Sequence, residues 1–164
     1  MIGVLPDGAI QSSYQGSLSL GNGDRFHLRL PGQEICSDGA TLWQYSVTQH
    51  QVLIKNSADM EGGLHPSEML FRYLRCKPMN IRQDKFQGVP VHILELDASQ
   101  QIKSLTSMEV WLKDSDQTPV KLITVDKTGS SVIYSISNLR KNSTLNDQTF
   151  QFQAPAGVEE IDMR

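Results

Sequence analysis

The 164-residue sequence lacks the features that would place it in a membrane or on a nucleic acid. It contains no apolar run of about 18 residues, which a transmembrane helix requires. Its Lys and Arg residues are scattered rather than clustered and its net charge is −3, so we expect no nucleic-acid partner. No signal peptide is visible, because the chain reaches Pro6 before an apolar segment can form. These absences leave a cytosolic protein or a mature domain whose leader has been removed.

Cysteine and histidine are scarce. The two cysteines, Cys36 and Cys76, form no CxxC motif, and the four histidines stand far apart, in no HxxxH or HExxH arrangement. The sequence therefore predicts no metal site. For the cysteines two alternatives stay open. A disulfide would close a loop of about 40 residues and contribute roughly 4 kcal/mol, whereas two buried free thiols would behave as small apolar side chains.

What the sequence does contain is an alternation of apolar and polar residues with a period of two, the pattern of half-buried strands. Leu18 and Leu20 alternate with serines, and Phe26 and Leu28 alternate with Arg and His after a glycine-rich turn. About nine or ten such strands follow one another through short turns, which indicates an antiparallel meander. A meander of that length must twist and curl, and a curled sheet can enclose a small apolar ligand.

The hairpin within residues 35–54 is rich in large apolar side chains. Its turn is the dipeptide Asp38-Gly39, and the strand that follows places Trp43, Tyr45 and Val47 on the face opposite Gln44 and Ser46. We therefore predict that Trp43 points inward and is largely buried. Trp43 and Tyr45 are either part of a cavity lining or ordinary core residues.

One helix is predicted, from Pro66 to Arg75. Pro66 stands in the first turn, where a missing N–H is tolerated, and Lys77-Pro78 ends the helix. An apolar stripe follows its length, and we expect that stripe to pack against the concave face of the sheet. The stripe consists of Met69, Leu70, Tyr73 and Leu74. One short helix cannot cover the concave side of ten strands, so that side is filled by large side chains or holds a cavity.

Four stretches, in this order, resemble the LolA-type outer-membrane lipoprotein carriers and their wider superfamily. The most specific is SDGATLWQY, residues 37–45, which is close to the family motif SDGKTLWxY. Residues 16–26 resemble the first hairpin of the family, and residues 110–121 resemble a hairpin with a proline after its turn. Residues 145–158 resemble the terminal pattern FxFxxPxGV. The ordered set spans nearly the whole chain.

The resemblance implies a mainly β fold: an incomplete, strongly curved antiparallel β-barrel with a short helical lid, in a single LolA-like domain covering residues 1–164. In the family, the apolar space between sheet and lid holds the acyl chains of a lipoprotein while it crosses the periplasm, with no catalytic residue and no cofactor. The implied partners are lipoprotein acyl chains or another lipid, an inner-membrane lipoprotein exporter and an outer-membrane acceptor. Our candidates for the apolar lining are Leu18, Leu20, Phe26, Leu28, Trp43, Tyr45, Met69, Leu70, Tyr73 and Leu74.

The sequence departs from the family pattern at two places. The N-terminal helix of the family is expected to be missing, because the segment from Ile2 to Gln11 contains Pro6 and Gly8. The family's lid-fastening arginine aligns with Asn22, and we do not transfer its role to the nearby Arg25.

Three functions from different classes compete at this point. A periplasmic carrier would shelter acyl chains in a deep apolar cleft. A lipid-sensing or protein-interaction domain on the same scaffold, as in anti-sigma regulators, would manage with a filled barrel and an exposed patch. An enzyme is the weakest reading, because no spacing in the sequence suggests a nucleophile with its base and acid.

Overall fold

The computed structural model describes residues 1–59, 66, 71–102 and 104–164, and strands dominate them. Three short segments are 3₁₀ helices: Ser57–Asp59, Arg72–Arg75 and Asp147–Phe150. The strands of the described residues are β1 Ile2–Val4, β2 Ile10–Ser13, β3 Ser17–Leu20, β4 Arg25–Leu30, β5 Gln33–Asp38, β6 Thr41–Ser46, β7 Gln51–Asn56, β8 Lys77–Phe86, β9 Val89–Asp97, β10 Leu105–Lys113, β11 Pro119–Asp126, β12 Ser131–Ser135 and β13 Glu159–Asp162.

The strands form two sheets in two compact units. The seven-strand unit comprises Met1–Ser13 and Leu70–Lys141, with strand order β2-β1-β12-β11-β10-β9-β8. The six-strand unit comprises Tyr14–Met69 and Asn142–Arg164, with strand order β13-β7-β6-β5-β4-β3. Neither sheet closes on itself, and every pairing is antiparallel except that of β13 with β7. The predicted mainly β, antiparallel class is confirmed.

The predicted number of strands was too low because three strands carry little periodic signal. β1, β2 and β13 are three or four residues long, so none of them completes a readable alternation. The segment from Ile2 to Gln11 contains β1 and the start of β2.

The largest apolar cluster of the seven-strand unit lies on one face of its central strands. Met108 and Val110 of β10 are buried there, while the intervening Glu109 is only partly buried, as the period of two predicts. Leu96 of β9 and Leu122 of β11 belong to the same cluster. A second buried cluster includes Val91 and Ile93 on the other face of β9.

The predicted helix from Pro66 to Arg75 is only partly within the described residues. Met69 and Leu70 lie outside them. Residues 72–75 form a 3₁₀ helix, in which successive side chains are about 120° apart, so Tyr73 and Leu74 cannot share a face. Tyr73 packs against the core of the seven-strand unit, whereas 71% of Leu74 is exposed. The prediction that Leu74 packs against a sheet was wrong.

Both cysteines are buried thiols rather than a disulfide pair, which decides between the two alternatives left by the sequence. Burial raises the pKa of Cys36 from 9.0 to about 11, and the neighbouring carboxylates of Glu34 and Asp38 act in the same direction. A thiol reagent needs both access and the thiolate form. We therefore expect the native protein at about pH 8 to take up no N-ethylmaleimide within minutes. Mass spectrometry before and after unfolding in guanidinium checks this: rapid labelling of the native protein would contradict it, and labelling of both thiols after unfolding is the control.

Candidate functional site

The register of the six-strand unit separates the candidate lining residues into two groups. Directly opposed residues of paired strands share a face. Phe26 is opposite Ser37, and Ser37 is opposite Leu42. Cys36, on the other face of β5, is opposite Trp43. The first group, which we call the leucine face, is Leu18, Leu20, Phe26, Leu28 and Leu42, and the second, the tryptophan face, is Trp43, Tyr45, Val52 and Ile54.

The tryptophan face is covered by the chain's own C-terminal segment. Phe152 and Val158 pack against Tyr45, Val52 and Ile54, and the rings of Tyr45 and Phe152 are 5.6 Å apart. Tyr45 is buried, and Trp43 joins the same cluster while partly buried. These side chains are therefore packed against other parts of the protein on this face.

The shared face of Trp43 and Tyr45 was predicted correctly, but the inclusion of Val47 on that face was not. Trp43 and Tyr45 share a face. The two residues opposite Trp43 on the neighbouring strands, Cys36 and Ile54, are apolar. Val47 lies beyond the end of β6 and is 49% exposed, so extending the alternation to it was wrong.

The turn that sets this arrangement is built by its own side chains. The Asp38 carboxylate accepts hydrogen bonds from the N–H groups of Ala40 at 2.8 Å and Thr41 at 2.7 Å. Gly39 between them has φ +98°, a conformation that favours glycine. The predicted turn at Asp38-Gly39 is therefore confirmed, and it fixes which residue of β5 faces Trp43.

The C-terminal segment is held to β4 by charged and polar contacts. Residues 147–158, which we call the C-terminal clasp, begin with the 3₁₀ helix Asp147–Phe150. Arg25 Nη1 donates to Asp147 Oδ1 at 2.7 Å, and the Arg25 guanidinium lies 5.1 Å from the centre of the Phe150 ring. Arg25 therefore fastens the start of the clasp to β4.

His27 provides a second attachment of the clasp. Its ring is 5% exposed, its Nδ1 is 2.7 Å from the Thr149 carbonyl oxygen, and its Nε2 bonds the Glu34 carboxylate. The sequence analysis missed the pair formed by His27 and Glu34. The available signal was a polar residue, His27, between Phe26 and Leu28 in a strand. The contact joins β4, β5 and the clasp.

Among the clefts formed by the described residues, two lie within the units, and neither of these two includes a residue of the leucine face. One, of about 400 Å³, lies at the edge of the clasp and is mostly polar. The other, of about 480 Å³, lies at one end of β8 and β9. The first is lined by His27, Arg29, Glu34, Gln148, Gln151, Phe152, Gln153 and Pro155, and the second by Gln83, Asp84, Lys85, Pro90, Val91, His92 and Asp114.

The leucine face combines a fixed centre with accessible side chains. Phe26 and Leu42 are each 1% exposed, so they act as core. Leu18, Leu20 and Leu28 are only partly buried and present apolar surface around them. Trp43 on the other face is also partly buried, but it packs against the cluster that the C-terminal segment covers.

The described part of the chain contains neither a candidate metal site nor a candidate membrane-spanning helix. No group of three or more His, Cys, Asp or Glu residues there is arranged to hold a metal ion. No helix among the same residues has the length and apolar character needed to cross a bilayer.

Comparisons with known proteins agree with the fold. The family model described as "Outer membrane lipoprotein carrier protein LolA" matches residues 4–153. The crystal structure of an uncharacterized conserved protein from Thermus thermophilus is similar with a TM-score of 0.54 and 11% identity, covering 91% of this chain and 82% of that one. A LolA superfamily protein from Nitrosomonas europaea has a TM-score of 0.44 and 16% identity, with coverage of 92% and 86%. No curated protein sequence matches the chain.

Proposed function

Because the chain belongs to the LolA family of outer membrane lipoprotein carrier proteins, we propose that it is a periplasmic carrier of lipoprotein acyl chains or a similar lipid. It would take its cargo from an inner-membrane lipoprotein exporter and deliver it to an acceptor at the outer membrane. The family match extends over stretches of both compact units, and on that basis we treat the chain as one functional LolA-like domain without catalytic activity.

The observation that carries the proposal is the leucine face. Its partly exposed side chains, Leu18, Leu20 and Leu28, lie on the adjacent strands β3 and β4 beside the buried Phe26. The buried Leu42 of β6 follows on the same face, across Ser37 of β5. Each acyl methylene that leaves water contributes about 0.8 kcal/mol. A chain of some ten carbons could therefore offset the cost of association and reach roughly micromolar affinity. Met69 and Leu70 lie outside the described residues and remain predictions.

A titration with a fluorescent fatty acid tests the proposal directly. We expect saturable binding that unlabelled acyl chains displace, with a dissociation constant of roughly micromolar size. Leu28→Asp should weaken binding at least tenfold, because a carboxylate on the apolar wall would have to lose its hydration when the chain binds. Circular dichroism would establish that the variant is folded.

A matched control uses the same substitution on another sheet. Ile10 of β2 is 68% exposed, and Ile10→Asp should leave the titration unchanged. Absence of saturable binding by the unmodified protein would overturn the acyl-binding proposal, and equal loss in both variants would show that Leu28 is not part of the wall.

A second function, a lipid-sensing or protein-interaction domain without transfer, is favoured by one contact. Arg25, the cation nearest the place of the family's lid-fastening arginine, is committed to Asp147 in the clasp. A domain without that fastening would discriminate less between open and closed forms. Saturable acyl-chain binding without delivery of a lipidated substrate to outer-membrane vesicles would identify this function.

A further inference from the structure

A short segment of the seven-strand unit displays large apolar side chains in the open. Residues 71–81, which we call the 71–81 patch, include Leu74 at 71% exposure, Ile81 at 61%, Met79 at 60% and Phe71 at 41%. Leu74 is the most exposed of the large apolar side chains in the described residues. Scattered single exposures are ordinary in proteins, but four within eleven residues form a patch.

The local structure holds these side chains outward. Tyr73 and Cys76 pack into the core of the unit, and Cys76 N–H donates to the Tyr73 carbonyl at 3.1 Å, so the intervening Leu74 turns away. The segment then enters β8, the last strand of the sheet. The pairing of β8 with β9 shifts between Pro78 and Asn80, which leaves Met79 as the extra residue of a bulge. The exposure of Leu74 and Met79 therefore follows from the way the neighbouring backbone is held in place.

The same segment is basic in a chain whose net charge is −3. Arg72, Arg75 and Lys77 lie within it, and the sequence has no Asp or Glu between residues 69 and 83. Arg75 and Lys77 are exposed, and neither forms an ion pair with another described residue. The carboxylate opposite Lys77 in the ladder, that of Asp97, accepts hydrogen bonds from Ser99.

Arg82, the first cation after the patch, is paired with carboxylates of the protein itself. Arg82 donates to Glu95 at 3.1 Å and to Glu109 at 2.8 Å, on the face of the sheet that Lys77 and Asp97 share. Those carboxylates neutralise it, so the charge available to a partner is that of the cations before residue 78. The apolar and the basic side chains therefore lie along the same edge of the sheet, in β8 and the 3₁₀ helix before it.

We propose that the 71–81 patch docks the protein onto an anionic lipid bilayer. Apolar side chains that reach below the headgroups, with cations beside them at headgroup level, are the physical requirement of interfacial binding. The cations of this segment and the lack of Asp or Glu between residues 69 and 83 favour an anionic surface as the partner. The inference does not rest on the proposed carrier function, because docking needs no acyl chain in the leucine face.

Flotation with lipid vesicles tests the docking. The full chain should float with vesicles of phosphatidylcholine containing phosphatidylglycerol and remain unbound with pure phosphatidylcholine, and added salt should weaken the binding. Met79→Ser/Ile81→Ser should reduce the partition coefficient about tenfold or more, since two apolar side chains no longer enter the interface. Arg75→Glu and Lys77→Glu should each reduce it more than about fivefold, because each reverses a charge at the surface.

Matched controls separate a specific patch from general stickiness. Ile10→Ser and Val47→Ser replace side chains that are 68% and 49% exposed elsewhere, and both should float like the unmodified protein. Equal flotation of the Met79→Ser/Ile81→Ser variant, or equal binding to neutral vesicles, overturns the proposal. So does a concentration-dependent dimer that disappears in that variant without any flotation, which would assign the patch to a second copy of the chain. Fatty-acid titration of the same variant should be unchanged, so failure of docking and failure of acyl binding are distinguishable.

Discussion

Replacing Phe150 by alanine is expected to lower the free energy of unfolding by about 3–5 kcal/mol, the usual loss for a buried phenylalanine. Phe150 is 2% exposed and is the buried residue of the 3₁₀ helix that begins the C-terminal clasp. One side of its ring meets the Arg25 guanidinium, and its edge lies close to Gly21. Urea unfolding followed by tryptophan fluorescence measures the loss. The partly buried Phe152, replaced in the same way, should cost clearly less and serves as the control.

The contact between Phe150 and Gly21 allows a second, independent test of the same packing. A Cβ added to Gly21 would lie 2.8 Å from Phe150 Cζ, so Gly21→Ala should itself destabilise by about 1–3 kcal/mol through overpacking. Combined with Phe150→Leu, which removes the far ring atoms, it should cost less than the sum of the two single changes. Strict additivity, or a loss below about 1 kcal/mol for Phe150→Ala, would contradict the packing described here.

The sequence was most informative where a strand is long and half-buried. In β10, Met108 and Val110 alternate with Glu109, and the structure buries the first two and leaves the carboxylate partly exposed. The turn at Asp38-Gly39 was equally readable because its chemistry is local: one carboxylate satisfies the N–H groups of the next residues. Period and turn chemistry therefore led to the correct fold class.

The composition of the candidate site could not be read in the same way. Alternation assigns residues to the two faces of one strand, but it does not say which face of the next strand lies beside them. Which faces lie side by side depends on the register across each turn. In this chain the register places Leu42, rather than Trp43, on the same face as Phe26. The parallel pairing of β13 with β7 was also out of reach, because it joins residues about a hundred positions apart through a four-residue strand.

The motif that most resembles the family has a structural role in this chain. In the SDGATLWQY stretch, Asp38 and Gly39 build the turn, and Ser37 is fully buried with its hydroxyl donating to the Asp24 carbonyl at 2.8 Å. Trp43 and Tyr45 support the clasp through Phe152. The most specific motif thus specifies how the sheet is built, while the proposed lipid-contacting leucines belong to a less distinctive alternation.

Replacing His27 by leucine is expected to lower the free energy of unfolding by about 2–4 kcal/mol, somewhat less than the loss of one partner from a fully buried pair. The Thr149 carbonyl can only accept hydrogen bonds, and the Glu34 carboxylate also accepts, so the His27 ring satisfies both when each nitrogen carries a hydrogen. Leucine has a similar volume and offers no donor. It would leave a backbone oxygen and a carboxylate facing an apolar side chain. Arg29 Nε, 3.3 Å from the same carboxylate, limits the loss.

The double change His27→Leu/Glu34→Leu shows whether the loss comes from the stranded carboxylate. Removing both partners should recover about half of the destabilisation, because a buried polar group without a partner costs more than an apolar pair in its place. Amide hydrogen exchange should also rise in residues 147–151 of the single variant, since the clasp loses its attachment to β4, while β10 in the seven-strand unit stays protected. Unchanged exchange in the clasp with a full loss of stability would show that His27 acts through packing alone. If the double variant were less stable than either single variant, the loss of stability in His27→Leu would not come from a Glu34 carboxylate left without its partner.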